Sequence, residues 1–223
     1  MTSPAWAGRL LEFMVAADRE GVARLIDEAF AAGFRSERIL QEILDPALLD
    51  LGKMWERESV SLSQTFVAAK SAEDVLLRCL PDAGSMSKVR KGAIVLGNIE
   101  DDFHSLGRRI VSSFLRVGGW DIHDLGNDVP AEQFVDKALE VGASVIGISA
   151  MMQTTALNIR KVRDLIDTRG LKDRLRLAVG GAVFNWRPEL VDEVGADGTS
   201  QSAASVDALF QRLQTGIGKG GCA

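Results

Sequence analysis

Between Gly92 and Leu213 the chain passes from a short apolar run to an amphipathic stretch five times. The apolar runs lie at 93–96, 120–125, 144–148 and 175–179, with a short fifth at 198–199. They have the length and partly β-branched content of strands buried on both faces. Apolar residues at helical spacing fill the intervals at 104–117, 131–141, 154–168, 188–194 and 203–213. Strict alternation of this kind predicts a doubly wound, five-stranded parallel sheet with right-handed crossovers. If the strands lie in the order 2-1-3-4-5, the sheet reverses between strands one and three, and a crevice opens at the carboxyl ends of those strands.

Residues 1–80 have a different rhythm. Apolar stripes at 10–15, 22–30 and 39–51 repeat at helical spacing, and Pro46 falls inside the third, where a kink or a break is expected. Ser61 and Gln64 have the spacing of a capping box that opens a further helix carrying Phe66, Ala69, Ala72, Leu76 and Leu80. Four or five helices with short joints predict a small helical bundle. Residues 81–91 have linker composition, so the expected organisation is a helical domain over 1–80, a linker over 81–91, an α/β domain over 92–215 and a flexible tail over 216–223. The α/β part is expected to be flavodoxin-like.

The loop between the first strand and its helix, residues 97–107, is unusual for a turn. It holds Glu100, Asp101, Asp102 and His104, the last being one of only two histidines in the chain. Two more loops reach the same predicted crevice. One, after strand three, contains Ser149, Met151 and Thr155; the other, after strand four, contains Gly180 and Gly181. An imidazole two residues after a carboxylate suits metal ligation, because the ring nitrogen opposite the metal needs an acceptor. The same Asp-x-His pattern also fits a helix start, with Asp102 as cap. His123 falls within strand two with no ligand neighbours at metal spacing, and reads as a structural residue.

Several chemistries are excluded. There is no G-x-G-x-x-G and no G-x-x-x-x-G-K-[ST], so no phosphate cradle is expected. A phospho-acceptor site would need an aspartate at the end of strand three, where Ser149 stands. The net charge of -5, with both signs spread along the chain, argues against nucleic acid as an obligatory partner. Cys79 and Cys222 are the only cysteines and neither has a metal-spaced neighbour. No run approaches the ~18 apolar residues of a membrane helix, and no secretory leader is legible. The expected location is the cytoplasm.

Taken in order, Asp102-x-His104-x-x-Gly107, Ser149-x-Met151 and Gly180-Gly181 resemble the cobalamin-binding signature D-x-H-x-x-G, S-x-L, G-G. The run from Gly97 to about Ala203, with Asp124-Leu125-Gly126-Asn127-Asp128-Val129-Pro130 and Gly195-Ala196-Asp197-Gly198, is similar to the corrinoid proteins of methyltransferase systems. The helical front half resembles the cap that precedes the cobalamin-binding domain in that family.

The resemblance implies a bound cobalamin with His104 as the lower axial ligand to cobalt, in the base-off, His-on mode. It implies that Asp102 and then Thr155 extend a hydrogen-bonded relay behind the imidazole. Phe103, Ser105, Leu106 and Gly107 complete the cofactor loop, and Ser149, Met151, Gly180 and Gly181 would line the slot for the nucleotide tail. Trp55 would shield the upper face from water; ordinary bundle core is the alternative for Trp55 and for Phe66. The implied function is to carry a methyl group on cobalt between partner methyltransferase subunits, one for the donor and one for the acceptor. Such a chain is a carrier subunit that does not act as an enzyme alone. A cobalamin-dependent sensor or regulatory module is the alternative, as is a fold with no corrinoid. Thr65 and Phe66 stand where the related light sensors carry Glu-His. Three further departures are Ser105 and Arg108, in place of the family's common Asp and Lys, and Met151 in place of Leu. Methyl donor, acceptor and oligomeric state have no readable motif.

Overall fold

The computed structural model describes residues 3–79, 90–200 and 203–217. The chain divides into two compact units, Met1–Asp82 and Ala83–Ala223. Most of the predicted linker and all but the start of the predicted tail lie outside the described residues.

The first unit is helical: α1 Ser3–Val15, α2 Arg19–Ala31, α3 Ser36–Ile39, a π-helical turn Leu40–Leu44, α4 Asp45–Glu56 and α5 Leu62–Arg78. Leu10, Met14, Leu25, Ile26, Ile43, Leu44 and Leu76 are fully buried and form its core. Pro46 has no N–H to donate, and the turn before it widens instead of breaking: the N–H of Asp45 reaches back to Leu40 O. The expected kink is therefore a π turn that runs directly into α4. The capping box is present, with Ser61 Oγ accepting from Gln64 N at 3.2 Å and Gln64 Oε1 accepting from Ser61 N at 2.9 Å. Phe30, on the apolar stripe at 22–30, is 37% exposed, and Phe66, for which the sequence leaves bundle core as one of two readings, is 63% exposed. Helical spacing places such residues on a stripe without saying how far the stripe is covered.

The second unit is the doubly wound sheet. Its elements are β1 Gly92–Asn98, α6 Ser105–Val117, β2 Trp120–Asp124, α7 Ala131–Val141, β3 Val145–Ser149, α8 Gln153–Thr168, β4 Arg176–Gly180, α9 Ala182–Trp186, α10 Leu190–Glu193, β5 Gly198–Thr199 and α11 Val206–Thr215, which follows a 3-10 turn Ala203–Ser205. The strand order is β2-β1-β3-β4-β5 and every pairing is parallel. Side-chain alternation along β1 separates two cores. Val95 joins Phe134, Val135, Ile159 and Val162, whereas Ile94 and Leu96 join Leu115, Phe210 and Leu213. Gly97 breaks the apolar run because a Cβ there would lie 2.6 Å from the Phe134 ring. Among the described residues no helix is long and apolar enough to cross a membrane.

Candidate functional site

Sheet register assembles the site. Asn98 at the end of β1 pairs with Ser149 at the end of β3, and Ser149 pairs with Gly180 at the end of β4. Three loops thus leave the sheet from one row of residues, at the point where the chain winds to opposite sides. The row is tied by Ile99 N donating to Ser149 O at 3.2 Å and Ala150 N donating to Gly180 O at 3.0 Å.

Asp102 is the hub. It is completely buried, and such a carboxylate persists only if donors replace its water. Oδ1 accepts from the Asn98 amide at 2.9 Å and from His104 N at 2.9 Å. Oδ2 accepts from Met151 N at 2.7 Å and from the Thr155 hydroxyl at 2.9 Å. Burial pushes the Asp102 carboxyl upward, but the donors from Met151, His104, Asn98 and Thr155 outweigh it and hold the group below its ordinary range. Asp102 is therefore an anion at neutral pH.

His104 stands just before the first residue of α6 and makes no side-chain cap. Its side chain is 52% exposed, with Nδ1 3.3 Å from Asp102 Oδ1. Donation from Nδ1 to the carboxylate leaves the Nε2 lone pair free to meet an electrophile. Asp102 is not the helix cap, since the N-cap position of α6 is His104 itself; the carboxylate accepts the His104 backbone N–H and also lies behind the imidazole. Among the described residues no three His, Cys, Asp or Glu side chains cluster to hold a metal ion. The donor set suits a metal that brings most of its own ligands and lacks one.

Phe103 is largely exposed beside His104, and Met151 is also exposed. Ser105, Leu106 and Ser149 are half-buried, and Gly180 closes β4. A Cβ added at Gly107 or at Gly180 would meet nothing within 4 Å, so both glycines border open space. Gly181 differs: its φ is +118° and a Cβ would lie 1.9 Å from Ala150 O, so the fold itself requires glycine there. Trp55 belongs to the other unit, on α4, where 41% of it is exposed. His123 lies on β2 with Nε2 3.4 Å from Asp121 Oδ2.

Two site residues escape sequence reasoning. Asn98 and Arg108 are both buried and joined by a 2.7 Å hydrogen bond from Arg108 Nε to Asn98 Oδ1. Asn98 ends an apolar run and Arg108 follows Gly107; a polar group closing a buried strand was the available clue.

A family model described as "B12 binding domain" matches residues 92–206, and a second with that description matches residues 6–79. Trimethylamine corrinoid protein 1 of Methanosarcina acetivorans is 32% identical over 191 residues, covering 85% of this chain and 88% of that protein. The dimethylamine corrinoid protein of Methanosarcina barkeri is 32% identical over 209 residues, covering 92% and 95%. Among solved structures, the Methanosarcina barkeri monomethylamine corrinoid protein matches with a TM-score of 0.78 at 26% identity, covering 92% of this chain and 96% of that one.

Proposed function

This chain belongs to the family of cobalamin-binding corrinoid proteins of methyltransferase systems, and from that membership we propose that it carries a methyl group on cobalt between partner methyltransferases, with His104 as the lower axial ligand. Its cofactor is cobalamin. When bound, the corrinoid supplies a cobalt centre that can accept and release a methyl group.

The observation that carries the proposal is the Asp102–His104 pair. With the proton on Nδ1, 3.3 Å from the carboxylate, Nε2 of the half-exposed imidazole is left with a single unshared lone pair. A single imidazole is the donor this site would offer to a cofactor that brings its other metal ligands with it. Open space beside Gly107 and Gly180 fits a long ligand tail running past the ends of β1 and β4. The exposed Phe103 and Met151 would offer apolar contact to the corrin edge.

The remaining roles concern proton and position. Asp102 keeps the imidazole oriented, so that its other ring nitrogen would be presented to a metal. Thr155 and the Met151 N–H keep Asp102 ionised and stationary. Trp55 is proposed as a shield for the cofactor, on the strength of its exposed indole.

Relatives named for tri- and dimethylamine make a methylamine the first donor to test. The cobalamin-loaded chain, reduced and mixed with a co-encoded methyltransferase and a methylated amine, should gain the absorption spectrum of methylcobalamin. No methylation with tri-, di- or monomethylamine would overturn the methylamine assignment. Failure with every co-encoded methyltransferase would overturn the carrier role.

A further inference from the structure

We propose that Arg108, acting through Asn98, is the positioning residue that fixes the Asp102 carboxylate behind His104. The inference deepens the proposed His104 ligation and rests on it where cobalt is concerned. Asn98 closes β1 with its side chain completely buried. Its Oδ1 accepts from Arg108 Nε at 2.7 Å. Its Nδ2 donates to Asp102 Oδ1 at 2.9 Å and to His104 O at 3.1 Å. Both ends of the amide are therefore committed, and the amide has a direction. With the guanidinium on the oxygen side, the NH2 must face the carboxylate. Turned over, the amide would set Oδ1 against Asp102 and its own N–H groups against a cation, two repulsive contacts in a buried site.

Arg108 can hold that direction because it is itself anchored. Its Nη1 bonds to Asp124 Oδ1, and its Nη2 donates to Asn127 Oδ1 at 3.0 Å. Three donors of one planar group thus meet β1, the end of β2 and the loop after β2. The Asp124 carboxylate also balances the buried charge. A lysine, which the resemblance places at this position in the family, is a single charged point on a flexible stem and cannot span the three partners in one plane. This chain therefore orients its axial imidazole through a fork-shaped residue on the helix that follows the ligand loop.

The test reads His104 in the cofactor-free chain. Side-chain ¹⁵N NMR, with His123→Gln used to assign the signals, reports which ring nitrogen carries the proton. Wild type should show mainly the Nδ1–H form. Arg108→Gln and Asn98→Ser should each move His104 toward the Nε2–H form. The double variant should shift no further than either single one, because both act on one path. Arg108→Lys should recover only part of the wild-type signal. Loaded with cobalamin, the same variants should show a reduced share of His-on spectrum. An unchanged tautomer in a folded Arg108→Gln or Asn98→Ser chain would overturn the inference, as would additive shifts. If the tautomer responds while wild-type cobalamin never becomes His-on, the positioning role stands and the ligation proposal fails.

Discussion

The hydroxyl of Thr155 donates to Asp102 Oδ2 at 2.9 Å, joining the loop after β1 to the first turn of α8. Both residues are buried, and 53 positions of sequence separate them. The bond does two things at once. It locks two of the three loops at the sheet's carboxyl edge together, and it keeps a buried carboxylate ionised behind an exposed imidazole.

Removing that hydroxyl should therefore lower stability even without cofactor. Thr155→Val keeps the shape and deletes the donor. A hydrogen bond to a buried charged group contributes ~1.5–3 kcal/mol, and urea denaturation of the second unit should show a loss of that size. Thr155→Ser should restore most of it. A Thr155→Val chain as stable as wild type would mean the bond contributes nothing net.

Glycine substitutions should divide into two kinds. Gly181→Ala should prevent folding of the second unit, because its Cβ would meet Ala150 O at a backbone angle closed to alanine. Gly107→Ala faces open space within α6, and replacing a helical glycine should stabilise the cofactor-free chain by ~0.5–1 kcal/mol. The same change should weaken corrinoid retention, since the methyl group would occupy the ligand's side. Thermal melts and equilibrium dialysis together read both effects. Undiminished retention in Gly107→Ala would show that the tail runs elsewhere.

Asp45 predicts a pH dependence in the first unit. Burial pushes its carboxyl up to about 6 from 3.8, with no hydrogen bond or ion pair to offset it. The native state then holds the proton more tightly than the unfolded chain. Stability should fall as pH rises from about 4 to about 6 and then level off. Asp45→Asn should remove that slope and raise stability at pH 7 by up to ~3 kcal/mol. Denaturation series at pH 4, 5, 6 and 7 check it; a wild-type chain that gains stability across this range would contradict it.

Much of the site was legible because its residues are neighbours in sequence or fall at strand ends. Alternation located all five strands, and α7 lies where the spacing puts it, at Ala131–Val141. The order β2-β1-β3-β4-β5 is the flavodoxin-like one supposed from the sequence, which alternation alone does not set. What escaped depends on partners that spacing does not reveal. β1 runs on to Asn98 because that polar side chain is satisfied by Arg108, Asp102 and the His104 carbonyl, none of which a pattern of apolar residues can indicate. The short helix α9, Ala182–Trp186, directly follows the glycine pair and is too brief to show periodicity. For Phe66 the sequence leaves bundle core as one of two readings, and the residue is exposed: helical spacing does not say whether a stripe is covered. Asp102 and His104 stand two apart in sequence, but only the fold delivers Met151 N and Thr155 to the other carboxylate oxygen.

The central claim is that His104 Nε2 binds cobalt. The most direct measurement is the visible absorption spectrum of the chain reconstituted with hydroxocobalamin or methylcobalamin, beside that of His104→Ala. The account predicts stoichiometric corrinoid with a His-on spectrum in wild type, shifted to base-off in the variant. Retained corrinoid with an identical spectrum in His104→Ala would contradict it and assign the lower ligand to another group.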